Sequence, residues 1–227
     1  MSWVQFARGW RTDLAALARC ATTTGRCSWP TSSRASACCR PSSTWGVDVA
    51  AADAHKWLLG PLGCGVAYLS HRAQEVVRPS QAGWASVSHR EDWGNLDLVY
   101  DDTARRYEGG SLDAVAIAGM GASMQLLLDA TVDRAQHVDA LNDRLCAGAA
   151  DLGLNVLSDR SPAGRSGHVT LGTPGADPTE VCERLEADGV VCSPRGGGVR
   201  VAPHGYTTAE EIDRALEALA AATSPDG

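Results

Sequence analysis

From Asn155 to the C-terminus the sequence alternates short apolar runs with helices that carry their own start signals, and this alternation restricts the chain to an α/β layer. Asn155-Val156-Leu157 and His168-Val169-Thr170-Leu171 read as strands. Asp177-Pro178-Thr179-Glu180 supplies an N-cap, a proline at the first helical position and a Glu three residues past the cap; the predicted helix runs to about Asp188. Val190-Val191-Cys192 and Val199-Arg200-Val201 read as strands around a Gly196-Gly197-Gly198 turn. Thr207-Thr208-Ala209-Glu210 reads as a second capping box, and its helix carries Ile212, Leu216 and Leu219 on one face. A mixed sheet backed by helices is expected.

Upstream the texture is less regular. Residues 10–19 read as a short amphipathic helix with Leu14, Leu17 and Ala18 on one face. Val47 to Ala52 and Val66 to Leu69 read as strands, separated by the turn residues Gly60-Pro61 and Gly63-Cys64-Gly65. Residues 70–108 are polar and loop-rich, with Trp84 and Trp93. Residues 112–128 are apolar with many small side chains, which predicts a tightly packed helix. Val132 to Leu152 places Val132, Ala135, Val138, Leu141, Leu145 and Ala149 at helical spacing. One stretch fits none of this. From Cys20 to Thr44 there is no Val, Ile, Leu, Met or Phe, but eleven Ser or Thr, four Cys, three Arg and no acid.

Charge and composition exclude several function classes. The net charge is −7 with no long basic stretch, so nucleic-acid binding is not expected. No apolar run approaches the roughly 18 residues of a membrane span, and no leader is visible before Trp3, so a cytoplasmic protein without membrane partners is the expectation. The eight cysteines match no zinc spacing, and without a leader disulfides are a poor reading, so no metal site is expected. Of the 20 basic residues 19 are arginine, which points to GC-rich coding DNA. It also leaves Lys56 as the one side chain able to do amine chemistry.

Lys56 sits in Asp53-Ala54-His55-Lys56-Trp57-Leu58-Leu59-Gly60-Pro61, after a buried-type strand and before a Gly-Pro turn. An amine in apolar surroundings loses solvation, which disfavours its charged form, and a neutral amine attacks an aldehyde. The run HKWLLGPLGCGVAYL resembles the cofactor-lysine region of class V aminotransferases, the fold-type I pyridoxal-phosphate superfamily that includes cysteine desulfurases and isopenicillin-epimerase-like enzymes. Arg105 to Asp113 (RRYEGGSLD) resembles the family's R-F-E-G-G-T-x-N segment, and Gly198 to Thr208 (GVRVAPHGYTT) its G-I-R-V-S-P-H-x-Y-N-T segment. The similarity covers residues 1–19 and 45–222.

The resemblance implies pyridoxal 5'-phosphate as cofactor and a small-molecule amino-acid substrate. It implies that Lys56 forms the Schiff base and shuttles protons at the substrate α-carbon, and that His55 lies near the cofactor phosphate. Gly110 and Ser111 match the segment that reaches the phosphate of the neighbouring subunit, so a homodimer is implied. Arg200 matches the arginine that clamps the substrate carboxylate, a task suited to a guanidinium fork. By this likeness residues 1–110 are the C-terminal portion of the cofactor-binding large domain, and 111–227 a small α/β domain. The match begins inside that large domain.

Three departures qualify the likeness. Asp53 stands where many relatives have a small or hydroxyl residue near the phosphate, which a carboxylate repels. Desulfurases carry a catalytic cysteine on a mobile loop before the carboxylate arginine; Cys192 lies in a strand-like run eight residues before Arg200. The family also has, within 20–44, a buried strand with an Asp that pairs with the pyridine nitrogen. A shifted frame, using the last base of each codon and the first two of the next, restores it. With GC-rich third bases, residues 22–43 then read H-D-H-G-A-L-L-V-A-D-V-I-Q-G-L-G-V-L-P-A-E-L, with the Asp at the position of Thr31, given a G in the third base of Pro30, and the Gln at that of Arg34. As it stands, the chain is expected to be an impaired class V aminotransferase-like enzyme. The alternatives are a non-catalytic remnant of one and a cysteine desulfurase using Cys192.

Overall fold

The computed structural model describes residues 2–24, 27–28, 30, 46–131 and 133–224. Thr31 and Arg34, the positions of the shifted-frame Asp and Gln, lie outside these residues, as does Val132.

The C-terminal half is an α/β layer. Strands β3 (Asn155–Val156), β4 (Val169–Gly172), β5 (Ser193–Arg195) and β6 (Gly198–Val201) form one sheet in the order β3-β4-β6-β5. Every pairing is antiparallel, with Val169 opposite Val201 and Pro194 opposite Val199, so the sheet is not mixed. Helices α4 (Arg134–Asp151) and α5 (Pro178–Ala187) pack on it, and α6 (Ala209–Thr223) packs against both helices. Val169, Leu171 and Val199 join Leu141, Leu145 and Ala149 of α4, Val181 and Leu185 of α5, and Ile212 and Leu219 of α6 in one buried cluster. The intervening residues face the other way, as a period of two dictates. There the segment Gln5–Gly9 crosses the sheet: the Thr170 hydroxyl donates to the Ala7 carbonyl at 2.7 Å, and the Arg200 guanidinium to the Phe6 carbonyl at 2.7 Å.

The N-terminal half is built on the antiparallel pair β1 (Val49–Asp53) and β2 (Gly65–Leu69), with α1 (Leu14–Thr23), α2 (His71–Val76) and α3 (Ala114–Asp129). Helix α1 starts later than residue 10, at its Asp13 cap, and runs four residues into the stretch poor in apolar residues. Helix α2, within the span expected to be loop, is capped by Ser70. A second cluster holds Trp3, Val4, Leu14, Ala52, Trp57, Leu58, Leu127 and Val138.

Three expectations are displaced. The strand expected at 190–192 forms at 193–195, because Gly189 (φ +78°) ends α5 and the Val190 amide folds back onto the Leu185 carbonyl at 2.8 Å. The second capping box uses Thr208 and Glu211, one residue later than Thr207 and Glu210, because the Thr207 hydroxyl accepts from the His204 amide at 3.0 Å. Helix α3 is apolar but not enclosed: only Ala116 and Leu127 are buried, and Val115 and Leu128 are 84% and 75% exposed.

Asp48, just before β1, anchors this half. Its carboxylate accepts from the Ser28 amide at 2.8 Å and from Arg72 Nε at 2.9 Å and Nη2 at 2.5 Å. Burial pushes its pKa up, but the hydrogen bonds from Ser28 and Arg72 outweigh burial and hold it below the usual carboxylate value. A lowered folded pKa means stability that is present above about pH 4, the unfolded value, and lost as pH falls through the folded one. Asp48→Asn is expected to cost about 1.5–3 kcal/mol near neutrality, the range for hydrogen bonds to a charged group. Its melting temperature should fall less steeply than that of the parent between pH 5 and 3, which scanning calorimetry across that range checks.

Candidate active site around Lys56

Lys56 lies in the turn that follows β1. The turn is fixed by backbone hydrogen bonds from the Ala54 amide to the Cys64 carbonyl (2.9 Å) and from the Gly60 amide to the Ala54 carbonyl (2.8 Å). Leu59 adopts left-handed backbone (φ +57°), at a cost of roughly 1–2 kcal/mol for a residue with a Cβ. Trp57 and Leu58 are buried and pin the turn to the second cluster. Helix α3 receives its far side with small residues: a Cβ on Gly119 would stand 2.8 Å from the Pro61 ring, and one on Gly60 3.2 Å from the Ser123 hydroxyl. Gly119 and Ser123 therefore belong to this contact.

The Lys56 side chain is 30% exposed and forms an ion pair with Asp53, the residue flagged as a departure from the family pattern. A pair this open to water contributes little to stability. His55, one residue earlier, is exposed.

The turn meets the 198–208 segment through Trp57. The Trp57 and His204 rings lie 4.8 Å apart with a 33° tilt, and His204 Nε2 is 3.3 Å from the Trp57 carbonyl, across 147 residues of sequence. Tyr206 also stacks on His204, with ring centroids 4.9 Å apart. Burial pushes the His204 pKa down, against the smaller opposite effect of the Trp57 carbonyl. A neutral His204 donates from Nε2 to that carbonyl, and its Nδ1 is buried without a partner among the described residues. His204 belongs to the GVRVAPHGYTT run, but nothing short of the fold pairs it with Trp57.

The remaining candidates sit apart from this contact. Arg200 is in β6, with Nη1 on the Phe6 carbonyl. Gly110 and Ser111 follow a 3₁₀ turn (Ala104–Tyr107), held by the Tyr107 hydroxyl on the Val77 carbonyl (2.8 Å) and the Ser86 hydroxyl on the Glu108 carbonyl (2.5 Å). Gly110 is backed by Trp84, whose indole nitrogen would stand 3.1 Å from a Cβ there. Ser111 is exposed, and Asp113 rather than Ser111 caps α3. Among the described residues no hydrogen bond or ion pair joins Gly110 or Ser111 to the Lys56 turn. Cys192 packs against the C-terminal core with its sulfur 3.3 Å from that of Cys182; burial pushes its thiol up to about 12. No group of three or more potential metal ligands occurs among the described residues, nor any single helix long and apolar enough to cross a membrane.

The sequence profile of the family described as Aminotransferase class-V matches residues 41–214. The chain is 29% identical over 180 residues to the uncharacterized aminotransferase YcbU of Bacillus subtilis (strain 168), covering 79% of this chain and 46% of that protein. It is 30% identical over 203 residues to the isopenicillin N epimerase of Streptomyces clavuligerus, covering 78% of this chain and 47% of that protein. The chain thus spans about half the length of these relatives. A structure of a lysine-to-alanine variant of C-DES, with glycine covalently linked to its PLP cofactor, superposes with a TM-score of 0.86 at 20% identity, covering 96% of this chain and 59% of that one.

Proposed function

Since the chain belongs to the class V aminotransferase family, whose cofactor is pyridoxal phosphate and whose fold it shares, we propose that it works at the α-carbon of an amino acid with Lys56 as the residue that holds the cofactor. The observation that carries this reading is the seating of the Lys56 turn, by buried Trp57, against the 198–208 segment that contains Arg200. The amine fits the group: its aldehyde needs a reachable amine, and the only side-chain amine of the chain is partly exposed in the hydrogen-bonded turn after β1.

Bound there, the cofactor supplies an electron sink for charge that develops at the substrate α-carbon. The chain's own residues position and move protons. Lys56 Nζ takes the α-proton and returns it. Arg200 of β6, whose guanidinium holds the Phe6 carbonyl in this structure, would pair the substrate carboxylate. Gly110 and Ser111 would offer backbone amides and a hydroxyl to the phosphate of a neighbouring subunit in a homodimer, and His55 would lie on the phosphate side of the cofactor held by its own chain. Asp53 works against this, since its carboxylate competes for the Lys56 ammonium and repels a phosphate; with no acid from 20 to 44 to pair the ring nitrogen, turnover is impaired. Cys192 is disfavoured as a desulfurase nucleophile, because burial suppresses the thiolate such chemistry requires.

Reductive trapping tests the reading. The chain is mixed with pyridoxal phosphate, reduced with borohydride and mapped by peptide mass spectrometry. One adduct at Lys56 is the expected result. A folded chain with no adduct there removes the proposal.

A further inference from the structure

Cys182 and Cys192 are the only two described cysteines whose sulfurs touch. Cys182 lies in the middle of α5 and is buried; Cys192 is partly buried one residue before β5. Helix α5 packs directly on β5, so neither sulfur is carried on a free loop. Their separation of 3.3 Å exceeds a bonded pair by only about 1.3 Å, which side-chain rotation on two adjacent elements supplies. Neither residue has a part in the proposed amino-acid chemistry.

We propose that Cys182 and Cys192 form a dithiol that a small peroxide closes to a disulfide, tying α5 to the strand it packs on. In the first step the Cys182 sulfur, as thiolate, attacks one oxygen of hydrogen peroxide. The O–O bond breaks, a sulfenic acid forms, and the departing hydroxide leaves as water with the proton the thiol gave up. In the second step the Cys192 sulfur attacks the sulfenic sulfur. The S–O bond breaks, and hydroxide leaves as water with the Cys192 proton. Two thiols lose two electrons, and one peroxide gains two to give two waters.

The contact fixes the order of events. The Cys192 S–H donates to the Cys182 sulfur, which favours charge on Cys182 and disfavours it on Cys192. Burial raises both thiols, so the first step is slow. The second needs no diffusion, because the resolving sulfur is already in contact. The disulfide therefore accumulates in preference to the sulfinic acid.

The test uses the whole chain treated with hydrogen peroxide, blocked with N-ethylmaleimide and digested with trypsin. Cleavage after Arg184 puts the two cysteines on separate peptides, 166–184 and 185–195. The expected result is a cross-link between these peptides that dithiothreitol reverses, with a melting temperature higher by roughly 5 °C in the oxidised chain. Cys192→Ser should instead give a dimedone adduct on Cys182 and no cross-link. N-ethylmaleimide on both cysteines after peroxide, or either one paired with a different cysteine, overturns the proposal.

Discussion

Lys56→Ala is expected to reduce borohydride-stable incorporation of pyridoxal phosphate from about one per chain to background, and to remove the visible absorbance of the bound cofactor. The size of the effect follows from composition, because Lys56 is the chain's sole lysine and no second side-chain amine stands in for it. The change should leave the fold intact. The Lys56 side chain makes one ion pair, with a half-exposed Asp53, and such pairs contribute about 0–1 kcal/mol. Lys56→Arg provides the control, since it keeps a cation beside Asp53 but cannot condense with an aldehyde. Both variants should melt within a few degrees of the parent and both should fail to trap cofactor. An adduct of undiminished yield in Lys56→Ala would show that the α-amino group, not Lys56, is the amine involved.

Trp57→Ala should produce the largest loss of stability of any single change near the site. Its buried ring belongs to the second cluster, and truncating a buried Trp costs about 3–5 kcal/mol, which for a chain of this size lowers the melting temperature by roughly 10 °C. The same change uncovers one face of His204. Burial is the main cause of that histidine's lowered pKa, so exposure should move it back up toward its ordinary value. NMR titration of the imidazole reads this shift. A lower melting temperature with an unmoved His204 titration would mean that Trp57 supports the core but does not couple the two motifs.

Elements with local signals were legible from sequence. The caps at Asp177 and near Thr207-Thr208, and the spacing from Val138 to Ala149, need only residues within a turn or two of one another. The two displaced boundaries share one physical origin, competition for hydrogen bonds by neighbours the pattern does not show. Val190 and Val191 have strand composition, yet the end of α5 takes the Val190 amide. Thr207 has cap chemistry, yet its hydroxyl is engaged by the His204 amide. Helix α3 reads as core because periodicity reports apolarity, not whether anything covers it. Lys56 could be singled out because it is unique, whereas the pairing of Trp57 with His204 exists only in the folded chain. The shifted-frame reading of 20–44 is a statement about nucleotides, and resequencing from upstream of Met1 through codon 48 decides it.

The segment Gln5–Gly9, which covers the second face of the C-terminal sheet, has its partners 163 to 194 residues away along the chain. Closing loops of that length is slow, because chain entropy is lost before any contact repays it. On a ribosome this segment emerges long before β4 and β6 exist, so it must wait for them. Once β4 and β6 have formed and until the segment docks, Thr170 and Arg200 face water, and a competing peptide with the same backbone has its widest opportunity to take that place.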